Sequence, residues 1–524
     1  MSDLQISQMA NSVYRLRSEL GATQARVAAE ASIDQSRLSR IEKGEATSVD
    51  EIRKVLQALK NIGSKEAPEF EKFLEKEWRF IEPPSFWNPQ RASLEIAEET
   101  LEKIENFIQD DEQPWPLRRQ LEKRKKDLIK EAAYLSRLKH NIAFIGDMGV
   151  GKSTAISFIF DLLVPTRVEE RTMSRPILET GGGGTTICEV HVRNGPEFGV
   201  SVVPMEDDDL IDLVSDFCAA KWAAVRKEDD DKAEHAQVAR EVDRAIRNMS
   251  GLGRRKNKVD GKLVYHDPVK DLIEECEGEE EFRARIIERM SLAERTNTEL
   301  WYQSGTRKHP TEWLRETFKA VNNGRMPDVP LPKSIGLILP EFGKSFGEYE
   351  ISVVDTKGVD DVAVREDLDQ RLKDPRTSLV LCSRFNDAPG TSAKALLQHM
   401  KQTFSERFDT GKVSILSLPR SGEAREMKDD MGDQAMNDEE GYEFKRMHVT
   451  SELDAEDMSD VPTMFFNVEA DSASDIRQEL FNQLARMREQ YSDRLFELAY
   501  AAYEIVENHE SHAVTAAIEE VARR

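Results

Sequence analysis

One short stretch constrains the fold of this chain more than any other. Asn141-Ile-Ala-Phe-Ile145 runs directly into Gly146-Asp147-Met-Gly149-Val-Gly151-Lys152-Ser153-Thr154. A short apolar strand thus feeds glycines spaced G-x-x-x-x-G-K-S, and an apolar-periodic helix is predicted over Thr154–Val164. Glycines let a loop wrap so that successive backbone N–H groups point inward at phosphate oxygens. Lys152 adds a point charge for the β- and γ-phosphates, and the Ser153 hydroxyl is a ligand for Mg²⁺. The helix that follows turns its positive end toward the anion. Gly146, Asp147, Gly149, Gly151, Lys152, Ser153 and Thr154 are therefore expected to bind a nucleoside triphosphate, GTP or ATP, with Mg²⁺.

Beyond this loop, strand and helix patterns alternate, as in an α/β sheet. Strands are predicted at Ile187–Val192, Gly199–Pro204, Tyr349–Val354, Ser378–Cys382, Val413–Leu418 and Thr463–Val468. Ile351-Ser-Val-Val-Asp355-Thr-Lys-Gly358 ends an apolar strand in a carboxylate placed to hold Mg²⁺, and its D-x-x-G spacing sets Gly358 to meet the γ-phosphate. Glu179-Thr-Gly181-Gly-Gly-Gly184-Thr185-Thr186 brings hydroxyls on a glycine segment; it is either a metal-contacting switch, through Thr185 or Thr186, or a plain loop. Thr172 and Ser174 are alternative hydroxyls, with Arg175 as a charge-stabilising candidate. Asp360 and Asp361 are placed either to orient a water or simply to be solvated. The expected catalytic set is Lys152, Asp355, Thr185 and Thr186, and the expected metal ligands are Ser153, Thr186 and Asp355.

These three elements, in this order, resemble the TRAFAC-type P-loop GTPases, and the size of the chain resembles the dynamin-like branch. The resemblance covers about 140–204 and 346–490. It departs at the base-reading motif N/T-K-x-D. After Val413–Leu418 the chain has Pro-Arg420-Ser-Gly-Glu423 instead, and Asn386-Asp387 has the wrong spacing for that motif. Either Glu423 replaces the missing Asp or the pocket takes ATP. Phe466-Asn-Val-Glu-Ala470 resembles the family's final loop over the base.

The N-terminus carries a different chemistry. Two short helices joined by a tight turn are predicted within residues 13–59, with Ala28, Ile33, Leu38 and Ile41 inward and Gly44 ending the second. The pattern, with its Thr23-Gln24 opening and its Ile41-Glu42-Lys-Gly44 close, resembles the Xre/Cro-type helix-turn-helix of phage repressors. By that resemblance 35–42 is the recognition helix. Gln35, Ser36, Arg37 and Ser39 or Arg40 would face the major groove of double-stranded DNA, and Gln24 a phosphate. The net charge is −25, yet residues 1–64 carry +1 and the remainder −26, so this segment is where DNA contact belongs. A helix-turn-helix used only for protein contact is the other reading.

The expected fold is multidomain α/β. An N-terminal all-α helix-turn-helix (1–64) and a helical linker (65–138) precede a P-loop α/β sheet domain (139–204 and 336–490). That domain carries a long helical insertion (205–335), and a C-terminal helix (491–524) follows. The insertion holds acidic runs at Glu206–Asp209 and Glu228–Asp231. Its basic tract, Gly251-Leu-Gly-Arg254-Arg255-Lys256-Asn-Lys258, is either a solvated face or a contact for nucleic acid or an acidic partner. No run of 18 apolar residues is present, and Met-Ser-Asp-Leu-Gln-Ile lacks the features of a secretory signal, so a cytoplasmic location is expected. Cys188, Cys218, Cys276 and Cys382 lack metal-ligand spacing and read as reduced, buried thiols.

Three functions fit. The first is a nucleotide-switched DNA-binding protein, expected to form a homo-oligomer so that paired modules read half-sites about 34–36 Å apart. The second is a dynamin-like mechanochemical GTPase whose helix-turn-helix autoregulates or docks a protein partner. The third is a nucleotide sensor without turnover. The pairing of the two modules associates the chain with bacterial mobile-element or phage-defence biology.

Overall fold

In the computed structural model the described residues are 12–45, 48–168, 171–178, 188–226, 238–259, 262–357, 366–403, 410–429 and 431–508. Thr185, Thr186, Gly358, Asp360, Asp361 and the acidic run at 228–231 lie outside them, as does the side chain of Thr172. The chain divides into two units, Met1–Leu138 with Met487–Arg524, and Lys139–Arg486.

The second unit is built on a mixed sheet. Thirteen strands are described: β1 (Lys139–Gly146), β2 (Leu163–Val168), β3 (Arg171–Pro176), β4 (Glu189–Asn194), β5 (Gly199–Pro204), β6 (Arg255–Val259), β7 (Lys262–His266), β8 (Glu299–Trp301), β9 (Pro332–Leu339), β10 (Glu350–Asp355), β11 (Thr377–Arg384), β12 (Val413–Leu418) and β13 (Thr463–Phe465). Nine of them form one sheet in the order β13-β12-β11-β1-β10-β4-β9-β5-β8. β10, β1, β11, β12 and β13 run parallel. β4 runs antiparallel to β10, and β5 antiparallel to both β9 and β8. The central strands are covered on both faces, and β1 and β11 are buried along nearly their whole length. By contrast β4 alternates buried and half-exposed residues.

From β1 the chain works outward on the β10 side before it returns to lay down β11, β12 and β13. The strand order therefore reverses at β1, and ligands of open α/β sheets bind beyond the carboxyl ends of strands at such a point.

Beyond shifted strand ends, such as the one at Phe465 instead of Val468, the structure differs from the sequence reading in four places. The helix after the glycines is Lys152–Ile159 and does not reach Val164. Asp161 takes φ +55°, and β2 and β3 follow as a separate hairpin. Segment 205–335 has helices at Asp207–Arg226, Arg240–Met249, Pro268–Glu275, Glu279–Met290 and Pro310–Asn322. It also carries the β6–β7 hairpin, β8 on the main sheet and the start of β9. The final helix, Ala473–Glu507, contributes residues to both units. Residues 65–138 are more than a linker, because Ala67, Phe70 and Phe86 join the N-terminal core. Helices Arg91–Gln109 and Trp115–Ser136 form a further core with Leu495, Ala499, Ala502 and Ile505.

In that helical unit Arg488 is fully buried. It donates to the carbonyls of Leu135 and Arg137 at 2.6 and 2.8 Å and to Gln90 Oε1 at 2.7 Å, so neutral oxygens are among the groups that hold the buried guanidinium. All four cysteines are buried and unpaired, and burial pushes the thiols of Cys218 and Cys382 up to about 12.

Candidate functional site

Register places the glycine loop against Asp355. Phe144 of β1 pairs with Asp355, the last residue of β10, and Gly146 pairs with Cys382 of β11. A Cβ on Gly146 would stand 2.5 Å from the Cys382 carbonyl oxygen, so only glycine fits where the loop leaves the sheet. Gly149 and Gly151 hold φ +73° and +102°, and Gly151 sits at the N-cap of helix Lys152–Ile159.

Lys152, Ser153 and Asp355 converge. The Ser153 hydroxyl donates to Asp355 Oδ2 at 2.5 Å, and Lys152 Nζ lies 3.7 Å from Oδ1. Asp355 has no exposed surface, and its Oδ1 is buried without a hydrogen bond. Burial pushes its carboxyl above the usual range, against the pull of Lys152 and Ser153, and the neighbouring charge of Glu189 adds to the rise. A buried carboxylate with one oxygen unsatisfied, beside a hydroxyl and an ammonium, fits a divalent cation that carries phosphate. Among the described residues no group of three or more His, Cys, Asp or Glu forms a metal site. Thr356 secures the strand end by donating from its hydroxyl to Phe144 O at 2.8 Å. Asp147 is exposed and accepts from the Ser392 hydroxyl at 2.6 Å. Ser174 and Arg175 are exposed on β3.

A cleft of about 460 Å³ continues from this loop. Gly149, Val150, Gly151, Thr154 and Ala155 form one wall. Arg384, Asn386 and Asp387 come from the end of β11, and Leu418, Pro419, Arg420 and Glu423 from the end of β12. Phe466 and Val468, just past β13, complete it. Asn386-Asp387 thus shares a cleft with the glycines despite its spacing. Sequence reasoning missed Arg384 and gave Arg420 no role of its own, while Val468 lies in the stretch that resembles the loop over the base; the legible signal for Arg384 was its place at the carboxyl end of a strand flanking β1.

Below the cleft, Tyr442 stacks on Phe465 at 5.0 Å, and Phe385 meets Phe465 edge-on at 5.9 Å. Lys445, buried and with its ammonium disfavoured by that burial, donates to Asn386 O at 2.9 Å.

The N-terminal helices, 12–19, Gln24–Glu30, Gln35–Glu42 and Val49–Ile62, enclose Val13, Leu16, Val27, Leu38, Ile41 and Val55. Thr23 caps the second, and a Ser48–Glu51 capping box starts the fourth. Residues 13–62 match the family model of the helix-turn-helix. In it the expected recognition helix is Gln35–Glu42, with Gln35, Ser36 and Arg40 exposed and Arg37 and Ser39 half-buried.

Two of the expected DNA contacts of the helix-turn-helix are held within the protein. Gln24 donates to Glu42 Oε2 at 2.7 Å, and the same carboxylate receives Arg17 at 3.1 Å. Arg37 donates to both oxygens of Glu51, at 2.6 and 2.7 Å. That pairing brings the Glu51 carboxyl down to about 2 and lifts the Arg37 guanidinium.

No curated protein matches the chain. It is similar to solved structures of an oligomerised bacterial dynamin pair, which provides a mechanism for the long-range sensing and tethering of membranes. One has 13% identity, a TM-score of 0.34, and coverage of 98% of this chain and 74% of that one. The other has 15% identity, a TM-score of 0.32, and coverage of 93% and 70%. Among the described residues no helix is long and apolar enough to cross a membrane.

Proposed function

We propose that the sheet unit binds and hydrolyses a nucleoside triphosphate with Mg²⁺, and that its nucleotide state governs how the helix-turn-helix engages duplex DNA. The observation that carries the first part is the Ser153–Asp355 pair with its unsatisfied buried oxygen. In this reading Lys152 meets the β- and γ-phosphates, and the inward N–H groups of Gly149–Ser153 hold the chain of oxygens. Ser153 and Asp355 would hold the Mg²⁺, which when bound neutralises charge between the terminal phosphates. Lys152 and Asp355, now paired, would then each face a ligand charge. Gly358, Thr185 and Thr186 complete the proposed set. On the DNA side, Gln35, Ser36 and Arg40 are presented outward, with Ser39 beside them and Arg37 and Gln24 in reserve. One such module binds weakly, so two copies on paired half-sites are proposed.

The test is phosphate release from GTP and from ATP, with and without duplex DNA, in the full chain and in Lys152→Ala. Lys152→Ala is expected to weaken triphosphate binding by about 100-fold, as for a lost charge-assisted contact to a multiply charged ligand, and to abolish any nucleotide effect on DNA affinity. Equal binding by both proteins would overturn the phosphate-site reading. Binding without release above background would leave a nucleotide sensor and remove the hydrolysis.

A further inference from the structure

We infer that the β6–β7 hairpin is a second contact for duplex DNA, made to the phosphate backbone and outside the helix-turn-helix. This extends the DNA reading of the chain to the sheet unit, and each contact can fail without the other. Residues 254–262 hold five Lys and Arg against one Asp, a net +4 in a chain of net −25. In the fold that run is a two-stranded ribbon that joins no other described strand. Register sets Arg255 opposite His266, Lys256 opposite Tyr265 and Val259 opposite Lys262. Paired strands lie about 4.8 Å apart, so the hairpin gathers cations that an extended chain would spread. Arg254, Arg255, Tyr265 and His266 are exposed.

The root of the ribbon is firmly held, and the acids there are already committed. Leu252, just before β6, is buried and donates its N–H to Arg247 O at 2.7 Å. Asp267, just after β7, caps helix Pro268–Glu275 and accepts from the buried Arg247 at 2.6 and 3.2 Å. The same guanidinium also engages Asp243, which pairs with Lys221. Asp271 lies 2.9 Å from His266 Nε2. Arg254 is 3.7 Å from Asp267, an acid that it shares with Arg247, while Arg255 has no ion pair among the described residues.

Charge and shape together choose the partner. Like charges on paired strands repel, and a polyanion removes that cost. On duplex DNA each Lys or Arg that neutralises a phosphate also releases a condensed counterion. A two-stranded ribbon is one of the shapes that the major groove admits. β6 and β7 have five residues each, which is about 17 Å of strand along such a groove. The helix-turn-helix match on the same chain favours the DNA duplex over RNA. The two residues that join the strands in sequence are Asp260 and Gly261, and neither offers the apolar anchor of a lipid-docking tip.

Titration of fluorescent duplexes of unrelated sequence with the full chain, over a series of salt concentrations, tests this. In the combined variant Arg255→Gln, Lys256→Gln, Lys258→Gln the slope of log affinity against log salt is expected to become shallower by about 2–3, equally for every duplex. Asn257→Lys, on the same strand, should steepen it by about one, a change that misfolding cannot produce. The charge-conserving Arg255→Lys, Lys256→Arg, Lys258→Arg chain should keep the wild-type slope. An unchanged slope in the glutamine variant, with binding lost in Gln35→Ala, Arg40→Ala, would overturn the hairpin contact and leave the helix-turn-helix reading standing. The reverse result would keep the hairpin and overturn the helix-turn-helix. A glutamine variant that binds DNA as wild type but no longer binds phosphatidylcholine vesicles carrying phosphatidylserine would reassign the ribbon to a membrane surface. Failure of the wild-type chain to bind any duplex would overturn both DNA contacts.

Discussion

Each unit holds a side chain that the sequence assigns to a ligand, and in each that side chain is already tied to a partner of opposite charge. Lys152 faces Asp355 in the sheet unit, and Arg37 faces Glu51 in the helix-turn-helix. The two pairs are energetically opposite. Asp355 is wholly buried, keeps one oxygen unsatisfied, and has its carboxyl raised by burial. Glu51 is about a quarter exposed, has both oxygens engaged, and has its carboxyl lowered to about 2. The first pair is a cost that a bound cation would relieve; the second is a small gain that a DNA phosphate would have to displace.

The largest expected effect comes from Asp355→Asn, which keeps the shape and removes the charge. Hydrolysis should fall on the order of 100-fold or more, measured as single-turnover phosphate release. Stability should move the other way. A carboxyl raised in the fold favours the native chain below its unfolded value and opposes it as pH rises through the folded one. The variant should therefore melt no lower than wild type at pH 7, and the two should converge in acid. A lower melting temperature at neutral pH would mean that the pair is stabilising and would erase the contrast.

Two glycines sharpen it further, because they are needed for different reasons. Gly146→Ala drives a Cβ toward the Cys382 carbonyl and should cost about 2 kcal/mol in denaturant titrations, with weakened triphosphate binding. Gly63→Ala meets nothing within 4 Å and is strained only by φ +113°, so about 1 kcal/mol is expected, with nucleotide affinity untouched. Equal effects on nucleotide binding would show that the phosphate loop is not the tightly seated element.

The smallest effect belongs to Glu51→Gln. Stability should change by about 0.5 kcal/mol or less, as for a largely solvated ion pair. The wild-type pair contributes at neutral pH, and that contribution is lost as pH falls from 4.5 toward about 2. Removing the charge that holds Arg37 should steepen the salt dependence of DNA binding by about one contact. An unchanged salt slope would show that Arg37 meets no phosphate when released.

What was legible follows from local physics. Asp355 at a strand end, the glycine loop and the span Gln35–Glu42 are each written in consecutive residues. The β2–β3 hairpin was not, because Ile156–Val164 is apolar enough for either period and the break depends on Asp161. β9 was missed because Lys333, Ser334 and Gly336 interrupt its alternation, while its burial comes from β4 and β5 on either side. The place of Asn386-Asp387 was illegible for a related reason. It depends on β11 lying beside β1, a pairing made between residues far apart in the chain.

The buried Arg488 carries a consequence for synthesis. Its acceptor at Arg137 lies 351 residues earlier, with the whole sheet unit between them. At about 5–20 residues per second, the apolar faces of Arg91–Gln109 and Trp115–Ser136 wait roughly 20–70 s for Leu495, Ala499, Ala502 and Ile505 to leave the ribosome. The helical unit begins before the sheet unit and finishes after it. A nascent chain stalled anywhere in the sheet unit therefore holds an open apolar surface, and a stop codon before residue 487 damages helices that were made before the sheet unit.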